Sequence, residues 1–236
     1  MQVVILAGGM GSRLKSRPPE TQKCMMVVAG APFLTWVIRS FEINGFSRFL
    51  LCLGHNAESV KEHFGSGQRL GVSLTYSFDG PTNRGTGGAL DSAYDLLDDQ
   101  FLITYGDTYL ELNKVEFMDA FLEMPGSGLM AVVHNPGPGH RPNARYEEGS
   151  HKITYTKNHQ KNVGFDCLDY GLVALNKGLL SRYMPNNDRF DFSDILEPLS
   201  HDGCLRGLTV PLSFHEIGTD DSLLKTERFL LNRHQQ

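Results

Sequence analysis

A chain of 236 residues is long enough for one substantial α/β domain and too short for two full-sized ones unless both are small. Apolar residues make up 40% and charged residues 21%, the balance of a soluble globular protein, and the formal net charge of −5 argues against general affinity for nucleic acid, whose phosphate backbone selects basic faces. The four cysteines, Cys24, Cys52, Cys167 and Cys204, lie far apart with no C-x-x-C pair, so neither a zinc knuckle nor a secreted disulfide framework is suggested and reduced, mostly buried thiols are expected. No run approaches the roughly 18 to 20 apolar residues that span a bilayer. With no basic region or cleavage site ahead of the first apolar run, a cytoplasmic protein without a membrane partner is expected.

Gln2-Val3-Val4-Ile5-Leu6 is a nearly continuous apolar run, the pattern of a strand buried on both faces of a parallel sheet. Strand-like segments follow at 49–53, 72–78, 101–105 and 129–134. Between them, 32–44, 57–64, 88–97 and 114–123 carry the apolar spacing of amphipathic helices, the alternation of βαβ units. Right-handed crossovers then place the strand C-termini, and with them the first loop, on one edge of the sheet. After Asn135-Pro136-Gly137-Pro138-Gly139, read as a surface loop within one domain, short alternating segments at 144–146, 152–155 and 168–175 predict an antiparallel addition. Thr219-Asp220-Asp221 reads as a helix start leading into 223–231. The expected fold is α/β: a Rossmann-like three-layer sandwich with a mostly parallel central sheet and an antiparallel addition in the second half.

The first strand runs into Leu6-Ala7-Gly8-Gly9-Met10-Gly11-Ser12-Arg13. Small residues let the main chain approach a ligand, so that several N–H groups converge on an anion. Arg13, Lys15, Arg17 and Lys23 add four cations, a combination that points to a polyphosphate. A dinucleotide fingerprint does not fit, because the turn enters a basic, proline-containing loop and the strand ending at Leu53 is followed by Gly54-His55 and not by a ribose-binding acid. A P-loop lacks its Gly-Lys-Ser/Thr. At the end of the 101–105 segment, Gly106-Asp107-Thr108 presents a carboxylate at the same sheet edge. Asp107 suits a magnesium ion, which binds through one or two carboxylates plus substrate phosphates, although a lone Gly-Asp is also a common turn. Gly85-Thr86-Gly87-Gly88-Ala89 reads equally as a surface on which a base lies or as a flexible loop with a threonine cap. Glu216 is either a second metal carboxylate or a strand-end surface acid.

Taken together these stations resemble the sugar-1-phosphate nucleotidyltransferases, over essentially the whole chain. Residues 6–14 are similar to that family's L-A-G-G-x-G-T-R-L opening, with Ser12 for threonine and Lys23 closing the loop after Gln22 in place of proline. Gly85 to Ala89 resembles the base-binding turn, Gly106-Asp107 the metal-binding G-D, and Lys157 the lysine that contacts sugar phosphate. Leu168-Asp169-Tyr170-Gly171-Leu172 stands where the family has N-A-G, and Glu216-Ile217-Gly218-Thr219 where it has D-x-G-T. The resemblance is greatest to compact heptose- and mannose-1-phosphate guanylyltransferases.

It implies that a sugar 1-phosphate oxygen attacks the α-phosphorus of a nucleoside triphosphate, favoured as GTP, and releases pyrophosphate. Arg13, Lys23 and Asp107 are the implied catalytic residues. Leu6, Ala7, Gly8, Gly9, Met10, Gly11, Ser12, Arg13, Lys23, Gly85, Thr86, Gly87 and Gly106 are the implied nucleotide contacts. Lys157, Asp169, Tyr170 and Gly171 are the implied sugar-phosphate contacts, with Mg2+ on Asp107 and Glu216. The nucleotide half covers about 1–135 and the sugar-phosphate half about 136–236 of a single domain, with a homodimer as one option for its assembly. The alternatives are a uridylyl- or cytidylyltransferase for another envelope sugar phosphate and a non-catalytic nucleotide-sugar-binding module.

Overall fold

Alternate side chains of the first strand go to opposite layers. Val3 and Ile5 join one apolar cluster with residues such as Phe33, Phe41, Phe49 and Phe117, while Val4 and Leu6 join another with Leu90, Phe101, Phe192 and Leu196. A strand buried on both faces needs a helical layer on each side, so the unbroken apolar run at the N-terminus already specifies a three-layer sandwich. The protein is described by a computed structural model that covers all residues except 10–13, 19–20, 55, 81, 138–139, 159, 161 and 234–236.

In chain order the elements are β1 (Gln2–Leu6), β2 (Val27–Val28), β3 (Ala31–Pro32), α1 (Phe33–Glu42), β4 (Arg48–Leu53), α2 (Ala57–Phe64), β5 (Ser73–Phe78), α3 (Gly85–Ser92), β6 (Gln100–Tyr105), β7 (Thr108–Leu110), α4 (Lys114–Leu122), β8 (Gly128–His134), β9 (Ala144–Glu147), β10 (Lys152–Tyr155), β11 (Cys167–Asn176), α5 (Lys177–Tyr183), α6 (Ser193–His201), β12 (Leu205–Thr209), β13 (Phe214–Glu216) and α7 (Asp220–Arg233). Nine strands form one sheet in the order β5-β4-β1-β6-β11-β8-β12-β10-β9. The strands β5, β4, β1 and β6 are mutually parallel. β11 runs against both β6 and β8, and β10 runs against β12 and β9. The sheet is therefore mostly parallel in direction, with its reversals in the second half of the chain. No described helix is long and apolar enough to cross a membrane.

Two differences from the sequence reading bear on the site. Helix α3 begins at Gly85 and ends at Ser92, earlier than the 88–97 that apolar spacing suggests, because the glycines form its first turn. Glycine is a poor helix former, so the local signal is overridden by packing against a segment a hundred residues away. Strands β7 and β13 make a small antiparallel ribbon, Glu216 opposite Thr108, which periodicity over three residues cannot reveal.

Candidate active site

The ends of β1 and β6 are drawn together by the main chain. Gly106 N donates to Leu6 O at 2.9 Å and Ala7 N to Cys52 O at 2.9 Å. A side chain at Gly106 would put its Cβ 2.7 Å from the Ala7 Cβ, and one at Gly54 would lie 2.9 Å from Gly8 O. Glycine is required at both positions by close approach of backbone to backbone. The result is a cavity of about 240 Å³ lined by Leu6, Ala7, Gly8, Gly9, Lys23 and Cys24 from the first turn, Tyr105, Gly106 and Asp107 from β6, and residues of the 79–89 and 189–191 segments.

At one end of this cavity Lys23 Nζ donates to Asp107 Oδ2 at 2.5 Å. The lysine side chain is only 8% exposed while Asp107 is 36% exposed, so the cation is fixed beneath a carboxylate that still meets solvent. Thr108 Oγ1 donates to the other oxygen at 3.1 Å. Ile217 N donates to Asp107 O at 3.1 Å and Glu216 pairs with Thr108, so the β7–β13 ribbon carries Glu216 beside the Asp107 strand end. The Glu216 side chain folds over Gly218, where a Cβ would lie 3.2 Å from Oε1. Among the described residues its half-buried carboxylate has no hydrogen bond or ion pair. Asp107, just before β7, and Glu216, at the end of its partner strand β13, offer hard oxygen donors of the kind a magnesium ion takes.

Asp79, just after β5, lines the cavity, and no motif in the local sequence marks it. Its Oδ1 is buried without a hydrogen-bond partner among the described residues. Burial pushes its carboxyl up to about 6, against the opposing pull of Arg84. Arg84 itself is engaged by Asp91 Oδ2 at 2.9 Å, Ser92 Oγ at 2.6 Å and Asp188 O at 3.2 Å.

The Gly85–Ala89 turn is shaped by the segment between α5 and α6. Gly87 N and Gly88 N donate to Phe190 O at 3.0 and 3.2 Å. A Cβ on Gly85 would stand 2.4 Å from Phe190 O and one on Gly87 2.3 Å from the Phe190 ring. Thr86 Oγ1 accepts from Phe192 N at 2.8 Å. Gly85 and Thr86 line the cavity. Gly87 does not line the cavity: its N–H and the space beside it are taken by Phe190, so it braces the turn. Arg189 and Asp191 also reach the cavity, and local sequence carries no signal for them because only tertiary packing brings them to α3.

On the far side of Tyr105 lies the segment expected to meet the sugar. Asp169 Oδ1 accepts from Gly171 N at 2.8 Å, and Asn143 Oδ1 accepts from Asp169 N at 2.8 Å. Burial raises the Asp169 carboxyl, while the Gly171 N–H and the charge of Lys157 pull it down. Gly171 has φ of +86° within an irregularity of β11, and an added Cβ would meet the Tyr105 ring at 3.4 Å. Burial and the charges of Asp169, Asp107 and Asp191 all raise the Tyr105 phenol, so this ring stands amid the three acids. Lys157 is exposed at the end of β10. None of Lys157, Asp169 and Gly171 lines the 240 Å³ cavity itself. Tyr170 does not sit with them. Strand alternation sends it to the opposite layer, where it is 2% exposed, donates its hydroxyl to Ser213 O and packs edge-on against Phe214 at 5.8 Å. Met10, Gly11, Ser12 and Arg13 lie outside the described residues.

A glycine-lined cavity at the C-terminal edge of a mostly parallel sheet, with a buried cation, a strand-end carboxylate and a second acid beside it, defines a phosphate-handling α/β protein. The nucleotidyl transferase family model matches residues 2–140, and the chain belongs to that family. It is 30% identical over 113 residues, 48% of this chain and 50% of the relative, to the D-glycero-α-D-manno-heptose 1-phosphate guanylyltransferase of Campylobacter jejuni. It is 31% identical over 124 residues, 48% of this chain and 32% of the relative, to a UTP–glucose-1-phosphate uridylyltransferase of Synechocystis sp.. The chain matches half the length or less of both these curated relatives. Among solved structures, HddC from Yersinia pseudotuberculosis complexed with GMP-PN superposes with a TM-score of 0.77 at 24% identity, covering 97% of this chain and 99% of that one. A putative glucose-1-phosphate thymidylyltransferase from Bacillus anthracis gives 0.82 at 19% identity over 98% of this chain and 96% of that one. Those two likenesses show the fold.

Proposed function

We propose that this chain transfers a nucleotidyl group from a nucleoside triphosphate, preferring GTP, to a sugar 1-phosphate of the heptose or mannose type, giving a nucleotide sugar and pyrophosphate. The observation that carries the reading is the Lys23–Asp107 pair inside the glycine-lined cavity, a buried cation beside a solvent-reaching carboxylate. In the reaction a sugar-phosphate oxygen attacks the α-phosphorus in line, the bond from that phosphorus to the bridging oxygen breaks, and pyrophosphate leaves. Positioning and charge neutralisation provide most of the acceleration in such chemistry.

Lys23 supplies positive charge where the α-phosphate gathers electron density. Arg13 and the amides of residues 9–12 hold the departing β and γ phosphates. Gly85 and Thr86 form a wall for the base. Lys157 anchors the sugar phosphate, with Asp169 and Gly171 facing the sugar. Magnesium held by Asp107 and Glu216 would supply Lewis-acid neutralisation of the phosphate oxygens.

The base preference rests on Asp79. Guanine carries adjacent N–H donors on N1 and N2, which match the two oxygens of a carboxylate, whereas uracil offers one such donor between two acceptors. A buried carboxylate oxygen without a partner is an acceptor kept for a ligand donor. The named guanylyltransferases of Campylobacter jejuni and Aneurinibacillus thermoaerophilus, 30% and 32% identical over their matched segments, support the same choice. The named uridylyl- and cytidylyltransferases of Synechocystis sp. and Bacillus subtilis, at 31% and 29%, favour the second reading, a pyrimidine nucleotide. Pyrophosphate release measured over a grid of triphosphates and sugar 1-phosphates decides. The reading expects the fastest turnover with GTP and a heptose or mannose 1-phosphate. Silence across all pairs, with nucleotide sugar still bound, would make the chain a binding module.

A further inference from the structure

Away from the nucleotide cavity, the end of β8 and the start of β11 bring three different donor side chains together. His134 stands directly opposite Cys167 in the β8–β11 register, and Asn135 N donates to Asp166 O at 2.8 Å, which fixes Asp166 beside them. One ligand atom from each of His134, Asp166 and Cys167 lies within 4.8 Å of the other two. His134 Nε2 is 3.1 Å from Asp166 Oδ2, while Asp166 Oδ1 is buried with no hydrogen-bond partner among the described residues. We propose that His134, Asp166 and Cys167 form a binding site for a divalent transition-metal ion of the zinc class, which clamps the end of β8 to the start of β11.

The donor set selects the ion. A thiolate and an imidazole favour zinc over magnesium, and the carboxylate is compatible with it. Thiolate and carboxylate together carry two negative charges, which balance a divalent cation. His134 is 51% exposed on its side chain, so the ion has a path in and water can complete the coordination. Zinc bonds of about 2.3 Å to sulfur and about 2.0 Å to nitrogen and oxygen put tetrahedral ligand atoms roughly 3.3 to 3.5 Å apart, so the triad must close by up to about 1.5 Å. Asn135 Nδ2 lies 3.3 Å from His134 Nδ1. With Nε2 on the metal, Nδ1–H donates to the Asn135 carbonyl oxygen once the amide is turned, the outer contact that orients a ligating imidazole. Asp169, two residues beyond Cys167, starts the segment that faces the sugar side, and Asn143 ties the two together by donating to Cys167 O at 2.9 Å and accepting from Asp169 N. A metal here holds that wall of the site in register.

The test uses the full chain, freed of any histidine tag and stripped with chelator, titrated with Co2+ in excess Mg2+ so that oxygen-only sites are occupied. The expected result is one equivalent of Co2+ with thiolate-to-cobalt charge-transfer absorption in the near ultraviolet, bleached by Zn2+ and absent in Cys167→Ser. His134→Ala, an exposed change that leaves the fold unaltered by circular dichroism, should weaken binding at least about tenfold, since even outer-shell changes cost that much. Zn2+ should raise the thermal midpoint of the wild type and not of His134→Ala. Absence of the thiolate band, or a band that survives Cys167→Ser, overturns the proposal.

Discussion

Replacing Asp79 by asparagine should make the protein more stable and less selective at once. Burial lifts its carboxyl from the ordinary 3.8 to about 6, a displacement of roughly two pH units, which corresponds to about 3 kcal/mol against the ionised form in the folded state. A carboxyl whose folded pKa lies above its unfolded value contributes its full stability below about pH 4 and loses it as pH rises through about 6. The neutral amide escapes that loss but is still buried, so Asp79→Asn should gain about 1–3 kcal/mol over wild type at pH 8, and the gap should shrink toward zero by pH 4. Function moves the other way. Hydrogen bonds to a charged group are worth about 1.5–3 kcal/mol, so kcat/KM for GTP should fall by roughly 10- to 150-fold while that for UTP changes by less than about threefold. Urea melts at pH 4 and pH 8, with pyrophosphate-release kinetics for both triphosphates, make the measurement. A variant less stable than wild type at pH 8, or equal losses with GTP and UTP, would refute the reasoning.

Lys23→Ala should lower kcat by at least about tenfold, because its charge interacts most strongly with the transition state, and an effect on KM alone would reduce it to ground-state binding. Gly87→Ala drives a methyl into the Phe190 ring, 2.3 Å from the ideal Cβ, and should lower stability by about 1–3 kcal/mol in a denaturant melt, with GTP affinity falling as the turn shifts. Tyr170→Phe removes the hydroxyl bond to Ser213 O and should cost about 1 kcal/mol of stability while leaving KM for the sugar 1-phosphate unchanged. A raised KM there would return Tyr170 to the sugar pocket.

What could be read from the sequence was local. The apolar run of β1, the glycine turn after it and Gly106-Asp107 each sit within a few residues, and backbone geometry follows from such patterns directly. Gly87 illustrates the limit. A glycine-dense turn signals close approach but not of what, and here the approaching group is Phe190, not a base. The linear motif groups Tyr170 with Asp169 and Gly171, but strand alternation sends its side chain to the other layer. Asp79, Arg189 and Asp191 reach the cavity only through the packing of β5 and of the 184–192 segment against α3. His134 and Cys167 face each other only through the β8–β11 register, 33 residues apart in sequence, where cysteine spacing alone argues for inert thiols.

The most direct measurement follows the labelled α-phosphate of GTP into product in the presence of a heptose or mannose 1-phosphate and Mg2+. The account predicts one labelled nucleotide sugar for each pyrophosphate released, and loss of both in folded Asp107→Asn. Full activity of that variant, or no nucleotide sugar from any triphosphate and sugar-phosphate pair, would contradict it.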